Sequence, residues 1–101
     1  MRSVMAKKYR SIMDAGEECY LCGSESNLQI HHCLHGTANR KLADEDGLVV
    51  KLCPNCHKAL HDKGVSDRDL QKTAQRVWMY YNKKSAEDFI QRFGKSYLDG
   101  E

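Results

Sequence analysis

Two Cys-x-x-Cys pairs, Cys19/Cys22 and Cys53/Cys56, bracket the doublet His31-His32, and the second pair runs on into His57 and His61. Each pair has the spacing of a zinc knuckle, in which a tight turn aims two sulfurs at one ion, and two knuckles complete a tetrahedron of thiolates. The chain must therefore fold back so that the segment around Cys19 meets the segment around Cys53. The stretch between them is long enough for a hairpin and a loop. Four thiolates leave no position for a substrate, so zinc held this way is structural. Imidazole is a ligand type used where a metal stays open to water or phosphate, so the histidines offer a second, separate site.

With 101 residues the chain is read as one domain, 1–101, whose core is small enough to benefit from a metal staple. Five cysteines would also allow disulfides, but the number is odd and no signal-like apolar stretch opens the sequence. Reduced thiols in a cytoplasmic protein are the expectation. No apolar run reaches membrane-spanning length, so no membrane partner is expected. A net charge of +2, from 16 Lys+Arg against 14 Asp+Glu, does not by itself imply nucleic acid. Local groups matter more: Lys7, Lys8 and Arg10, then Arg40 and Lys41, and Lys83-Lys84 could each touch phosphates or simply be solvated.

The hydrophobic periodicity predicts an N-terminal helix over 1–16, with Met5, Tyr9, Ile12 and Met13 on one face and Gly16 as its stop. Leu28 to His31 reads as a short strand and Leu48 to Leu52 as a second. Leu34 to Asp46, with Gly36, Asn39 and three acids, reads as a long irregular loop. Pro54 suits the first turn of a helix from Cys53 through His61, ended near Gly64. Two helices then fill 64–101. One is capped by Ser66 with Asp69 and striped by Leu70, Ala74, Val77, Trp78 and Tyr81; the other is capped by Ser85 with Asp88 and buries Ala86, Phe89, Ile90 and Phe93. Trp78 and Tyr81 fall on the core stripe and Tyr80 off it. The fold class is α+β, with the metals between strand, loop, strand and helix over 17–63.

On that helix His57 and His61 lie four residues apart and project from one face, so they can grip one ion. Adjacent Cys56 and His57 diverge by roughly 100°, which lets the cysteine serve zinc while the histidine faces away. Either histidine could instead be a surface or zinc-capping residue. Neighbouring residues of a strand face opposite ways, so His31 and His32 can share a site only if the chain turns near Cys33. Otherwise one packs inward and the other is solvated. Cys33 is read as a small buried side chain, with replacement of a zinc ligand as the alternative. His35 is read as a loop residue.

The run Cys19-x-x-Cys22, His31-His32, Leu52-Cys53-x-x-Cys56-His57 and His61 resembles the HNH endonuclease family over roughly residues 17 to 63. Its double histidine followed by His-x-x-x-His is similar to DNase colicins, and its cysteines with Gly-Thr-Ala-Asn-Arg-Lys at 36–41 resemble small phage and prophage HNH proteins. The resemblance implies a ββα-metal finger with His32 as general base and His31, His57 and His61 around a catalytic divalent ion. That ion could be Mg2+, Mn2+, Ni2+ or Zn2+, beside structural Zn2+ on Cys19, Cys22, Cys53 and Cys56. Where the family places a middle Asn, this chain has Asp46-Gly47. Asp46 would supply the loop-fastening hydrogen bonds, or Asn39 from farther back.

Two functions follow from this reading. The first is a metal-dependent DNA endonuclease, with Lys7, Lys8, Arg10, Arg40, Lys41 and Lys58 positioning the backbone, in a bacterial host cell if the phage likeness holds. The second is a catalytically inactive zinc module that binds nucleic acid or a phage protein. A homodimer or a larger phage complex is compatible with either.

Overall fold

Two short antiparallel strands joined through a helix form the centre of the described residues, and three further helices follow them along the chain. The computed structural model describes residues 11–64 and 66–98. Strand β1 (Gln29–His32) leads to α1 (Thr37–Asp46), β2 (Val49–Leu52), α2 (Pro54–Lys63), α3 (Asp67–Asn82) and α4 (Ala86–Phe93). The strands pair antiparallel, with His31 opposite Val50 and Gln29 opposite Leu52. The fold is therefore a small α+β arrangement of one two-stranded sheet and four helices among the described residues.

The region 34–46, read as irregular from sequence, contains helix α1 instead. Its segment Thr-Ala-Asn-Arg-Lys-Leu-Ala-Asp-Glu-Asp is rich in good helix formers, but it has no side-chain N-cap and puts three acids at the end where the helix dipole disfavours them. Tertiary contacts supply what local signals lack. Ala43 is fully buried, Leu42 packs against the core, and Arg92 of α4 meets both Glu45 and Asp46. Gly47 then takes a left-handed φ of 77°, closing α1 through a bond to Ala43 and turning the chain into β2.

Of the N-terminal helix over 1–16, residues 1–10 lie outside the described residues, and 11–16 are not helical. They run along β2 instead. Ser11 Oγ donates to the Val49 carbonyl, Ile12 N to Gly47, and Asp14 accepts from Lys51 N at 3.0 Å, so side-chain and loop bonds serve a strand edge. The helix after Pro54 forms as expected and is stopped by Gly64 at φ 71°.

Leu34, Leu48, Val50, Leu52, Leu60, Leu70, Ala74, Trp78, Phe89 and Phe93 make the core. Trp78 meets Phe89 and Phe93 edge-on, at ring separations of 5.4 and 5.9 Å. Two stripe assignments change. Tyr81 is 59% exposed and Ile90 40%, Ile90 lying at the edge of the strip that Phe89 and Phe93 bury, while Gln75 takes a core position by bonding Ser96 and the Tyr97 amide. The Ser85–Asp88 capping box forms, but Ser66 sits at φ 65° and caps nothing with its side chain.

Candidate metal centres

The four sulfurs of Cys19, Cys22, Cys53 and Cys56 lie within 4.8 Å of one another. Cys22 Sγ and Cys53 Sγ are 3.6 Å apart, against about 3.8 Å for sulfurs on a tetrahedral zinc with bonds near 2.3 Å. Local backbone sets this up. Gly23 at φ 84° closes the first knuckle with a bond to the Cys19 carbonyl, and Tyr20 N donates to Lys51 of β2, docking the knuckle on the sheet. In the second pair Cys53 is the N-cap of α2, and its sulfur accepts from Cys56 N as the Cys19 sulfur does from Cys22 N, both at 3.4 Å.

Burial alone would raise the Cys19 thiol, but backbone hydrogen bonds at Cys53, Cys22 and Leu21 bring it down to about 6. Burial, reinforced by hydrogen bonds among the cysteines, pushes Cys56 up to about 12. A cluster that prefers some of its sulfurs as thiolates and shares protons among the rest suits a dication, which would replace those protons. The set is compatible with zinc. Cys33 lies outside it, fully buried, its thiol pushed up to about 12 by burial and by the charges of Asp67 and Asp14.

The imidazoles of His31, His57 and His61 form a second set, again with ligand atoms within 4.8 Å of one another. The α2 register places His57 and His61 together, with their Nε2 atoms 3.1 Å apart. Two imidazole nitrogens bound to one ion at about 2.1 Å would lie about 3.0 to 3.4 Å apart, depending on coordination angle. His31 reaches them from β1, its ring 5.2 Å from that of His57 and 5.6 Å from that of His61. It is 2% exposed, yet its Nε2 has no hydrogen-bond partner. An orphaned buried nitrogen facing two other imidazoles fits a metal ligand, because an ion would supply the partner the protein does not. Burial, then the neighbouring rings of His57 and His61, holds His31 down at about 4, so the ring is neutral and its lone pair available at neutral pH. Burial and His61 lower His57 as well.

Gln29 Oε1 lies 2.6 Å from His57 Nδ1 and accepts a hydrogen bond from its N–H, which leaves Nε2 as the lone-pair nitrogen turned toward the cluster. Gln29 escaped the sequence reading, although period two along β1 puts it on the same face as His31.

The strand stops at His32 and the chain bends at Cys33 and Leu34, so both members of the doublet reach one hollow. That hollow, about 360 Å³, is lined by Ile30, His31, His32, His35, Arg40, His57 and His61. His32 Nε2 lies 3.5 Å from Asp44 of α1. On its other side, a hollow of about 240 Å³ is bounded by His32, Thr37, Arg40, Lys41 and Asp44. Helix α1, absent from the sequence reading, thus brings Arg40, Lys41 and Asp44 to the doublet. His35, read as a loop residue, also lines the larger hollow, with Nε2 bonded to Asp67 of α3 at 2.8 Å.

Other site residues lie elsewhere. Asp46 accepts from Trp78 Nε1 at 2.8 Å and from Arg92, facing the aromatic core and not the histidine hollow. Asn39 is hydrogen-bonded to Tyr97. Lys58 pairs with Asp62 one turn along the exposed face of α2. Lys7, Lys8 and Arg10 fall outside the described residues.

No protein-family model, curated protein or solved structure matches this chain. What is established is a small α+β domain with a four-cysteine cluster compatible with zinc and a three-histidine cluster beside it. Among the described residues no helix is long and apolar enough to cross a membrane.

Proposed function

We propose that this chain is a metal-dependent DNA endonuclease of HNH type, with β1, β2 and α2 as its ββα-metal finger. One observation carries the reading: three imidazoles converge, one of them buried with an orphaned nitrogen, on a hollow that also holds His32 and Arg40. A purely structural site would have no use for an open hollow beside its ligands.

His31, His57 and His61 would hold the divalent ion, which when bound offsets negative charge on the phosphate and on the departing 3′ oxygen. His32 acts as general base. With Nε2 turned toward Asp44, its Nδ1 is the nitrogen that takes a proton from the attacking water. Arg40 offers a fixed cation to a phosphate oxygen in the same hollow, and Lys41 extends that charge along α1. Lys7, Lys8, Arg10 and Lys58 add backbone contacts that set register without reading sequence. The cysteine zinc contributes no chemistry; it pins the start of α2, and with it His57 and His61, to the knuckle beside β2.

The test is conversion of supercoiled plasmid to nicked or linear DNA by zinc-loaded protein with Mg2+, Mn2+ or Ni2+, beside His32→Ala of equal zinc content. Removal of a general base costs about 10²- to 10⁴-fold in rate. Cleavage by neither protein, or equal cleavage by both, would leave the non-catalytic zinc module as the better description.

A further inference from the structure

The histidine that sequence reasoning set aside has the most pointed surroundings of any residue not yet given a role. His35 follows β1 after the bend at Cys33-Leu34 and lines the same hollow as His32, with its ring 6.1 Å from that of His31. It does not belong to the three-histidine cluster. Its Nε2 is engaged by Asp67, the first residue of α3, at 2.8 Å, so the nitrogen left for a substrate is Nδ1. Gly64, in the left-handed conformation, ends α2, and Asp67 N bonds back to its carbonyl, which ties the start of α3 to the end of α2 and brings this carboxylate to the ring. A carboxylate on one imidazole nitrogen fixes ring orientation while the other nitrogen does chemistry. The His35 side chain is 44% exposed, which a group that meets a macromolecular substrate requires and a packed histidine does not show.

Resting on the endonuclease reading, we propose that His35 is the general acid that protonates the leaving 3′ oxygen, with Asp67 as its positioning residue. The hollow then holds two histidines of opposite task beside the ion ligands. Water oxygen forms the new bond to phosphorus as His32 Nδ1 takes its proton. The bond from phosphorus to O3′ breaks, and the electron pair left on O3′ takes the proton from His35 Nδ1. The His35 imidazolium becomes a neutral ring still donating through Nε2 to Asp67. One proton is gained by His32 and one is lost by His35, and exchange with water resets both.

The experiment compares two duplex oligonucleotides, one with an ordinary phosphodiester at the cleaved position and one with sulfur in place of the bridging 3′ oxygen. A thiolate leaves without protonation, so the sulfur substrate removes the need for an acid; because sulfur also changes the ion's hold on the leaving atom, each variant is compared with the parent on the same substrate. Parent protein, His35→Ala, Asp67→Asn and Asp67→Glu are assayed on both, and Co2+ binding to the histidine site is measured by titration. Expected for His35→Ala is a loss of about 10²-fold or more on the oxygen substrate, a rate within a few-fold of parent on the sulfur substrate, and unchanged Co2+ binding. Asp67→Asn should follow the same pattern more weakly, and Asp67→Glu should restore part of it. Equal loss on both substrates, or weakened Co2+ binding, overturns the acid assignment while leaving the endonuclease intact. A parent that cuts neither substrate overturns both.

Discussion

Replacing Asp46 tests whether its carboxylate serves the fold or the finger. It sits at the end of α1, its side chain 18% exposed, where it accepts the indole N–H of Trp78 and pairs with Arg92. Asp46→Ala leaves Nε1 of a tryptophan that is 5% exposed without its partner, at about 1 to 3 kcal/mol. Arg92 is 36% exposed, so its ion pair adds only about 0.5 to 1 kcal/mol. The expected loss is about 1.5 to 4 kcal/mol, or a Tm lower by roughly 6 to 30 °C for a domain of this size. Asp46→Asn keeps an oxygen for the indole and sacrifices only the ionic part, so it should cost about 0.5 to 1 kcal/mol. Urea denaturation of the zinc-loaded protein followed by fluorescence reads the contact directly, because Trp78 is the one tryptophan in the chain. Equal costs for Asn and Ala, or a cost below about 0.5 kcal/mol for Ala, would refute the argument that the indole bond holds α1 to α3.

Four further outcomes follow. Cys22→Ser should weaken the thiolate-to-metal absorption of Co2+-loaded protein by about a quarter or more, having removed one of four sulfurs, whereas His57→Ala should leave it intact, since the two clusters use different atoms. Gln29→Ala should weaken ion binding at the histidines about 10- to 100-fold by titration, because it frees the His57 ring to turn. With zinc in place and the histidine site free of metal, stability should fall as pH drops from about 6.5 toward 4. In that window the unfolded His31 binds a proton that the buried ring, at about 4, does not, a difference of at most about 3 kcal/mol that His31→Asn should flatten in urea titrations. Ser85→Ala should cost about 1 kcal/mol by the same assay, through loss of the α4 capping box.

What could be read from the sequence depended on whether the signal was local. The knuckle spacing, the Pro54 start and Gly64 stop of α2, the i to i+4 pairing of His57 with His61, and the Ser85–Asp88 box are local rules, and the structure contains each. Helix α1 was illegible because what stabilises it arrives from far along the chain, as Arg92 at its acidic end and a core that closes over Ala43. Missing α1 hid Asp44 from the neighbourhood of His32. His35 and Asp67 were missed for a related reason: they are 32 positions apart and meet only in the folded chain. Tyr81 and Ile90 show the limit of periodicity, which specifies a helix face without saying how much of it is covered.

Helix α2 has Cys53 as its N-cap and carries Cys56, His57 and His61 within about its first two turns, so one rigid rod belongs to both clusters. Whatever orders that rod for one metal orders it for the other, and thermodynamic linkage makes the effect reciprocal. With both sites filled, zinc on the thiolates would tighten the imidazole site by the same factor with which an ion on the imidazoles would secure the thiolates. Oxidation of the exposed Cys22 would remove one thiolate from the first set and, through the shared helix, would weaken an ion's hold on the second without touching a residue of the histidine hollow.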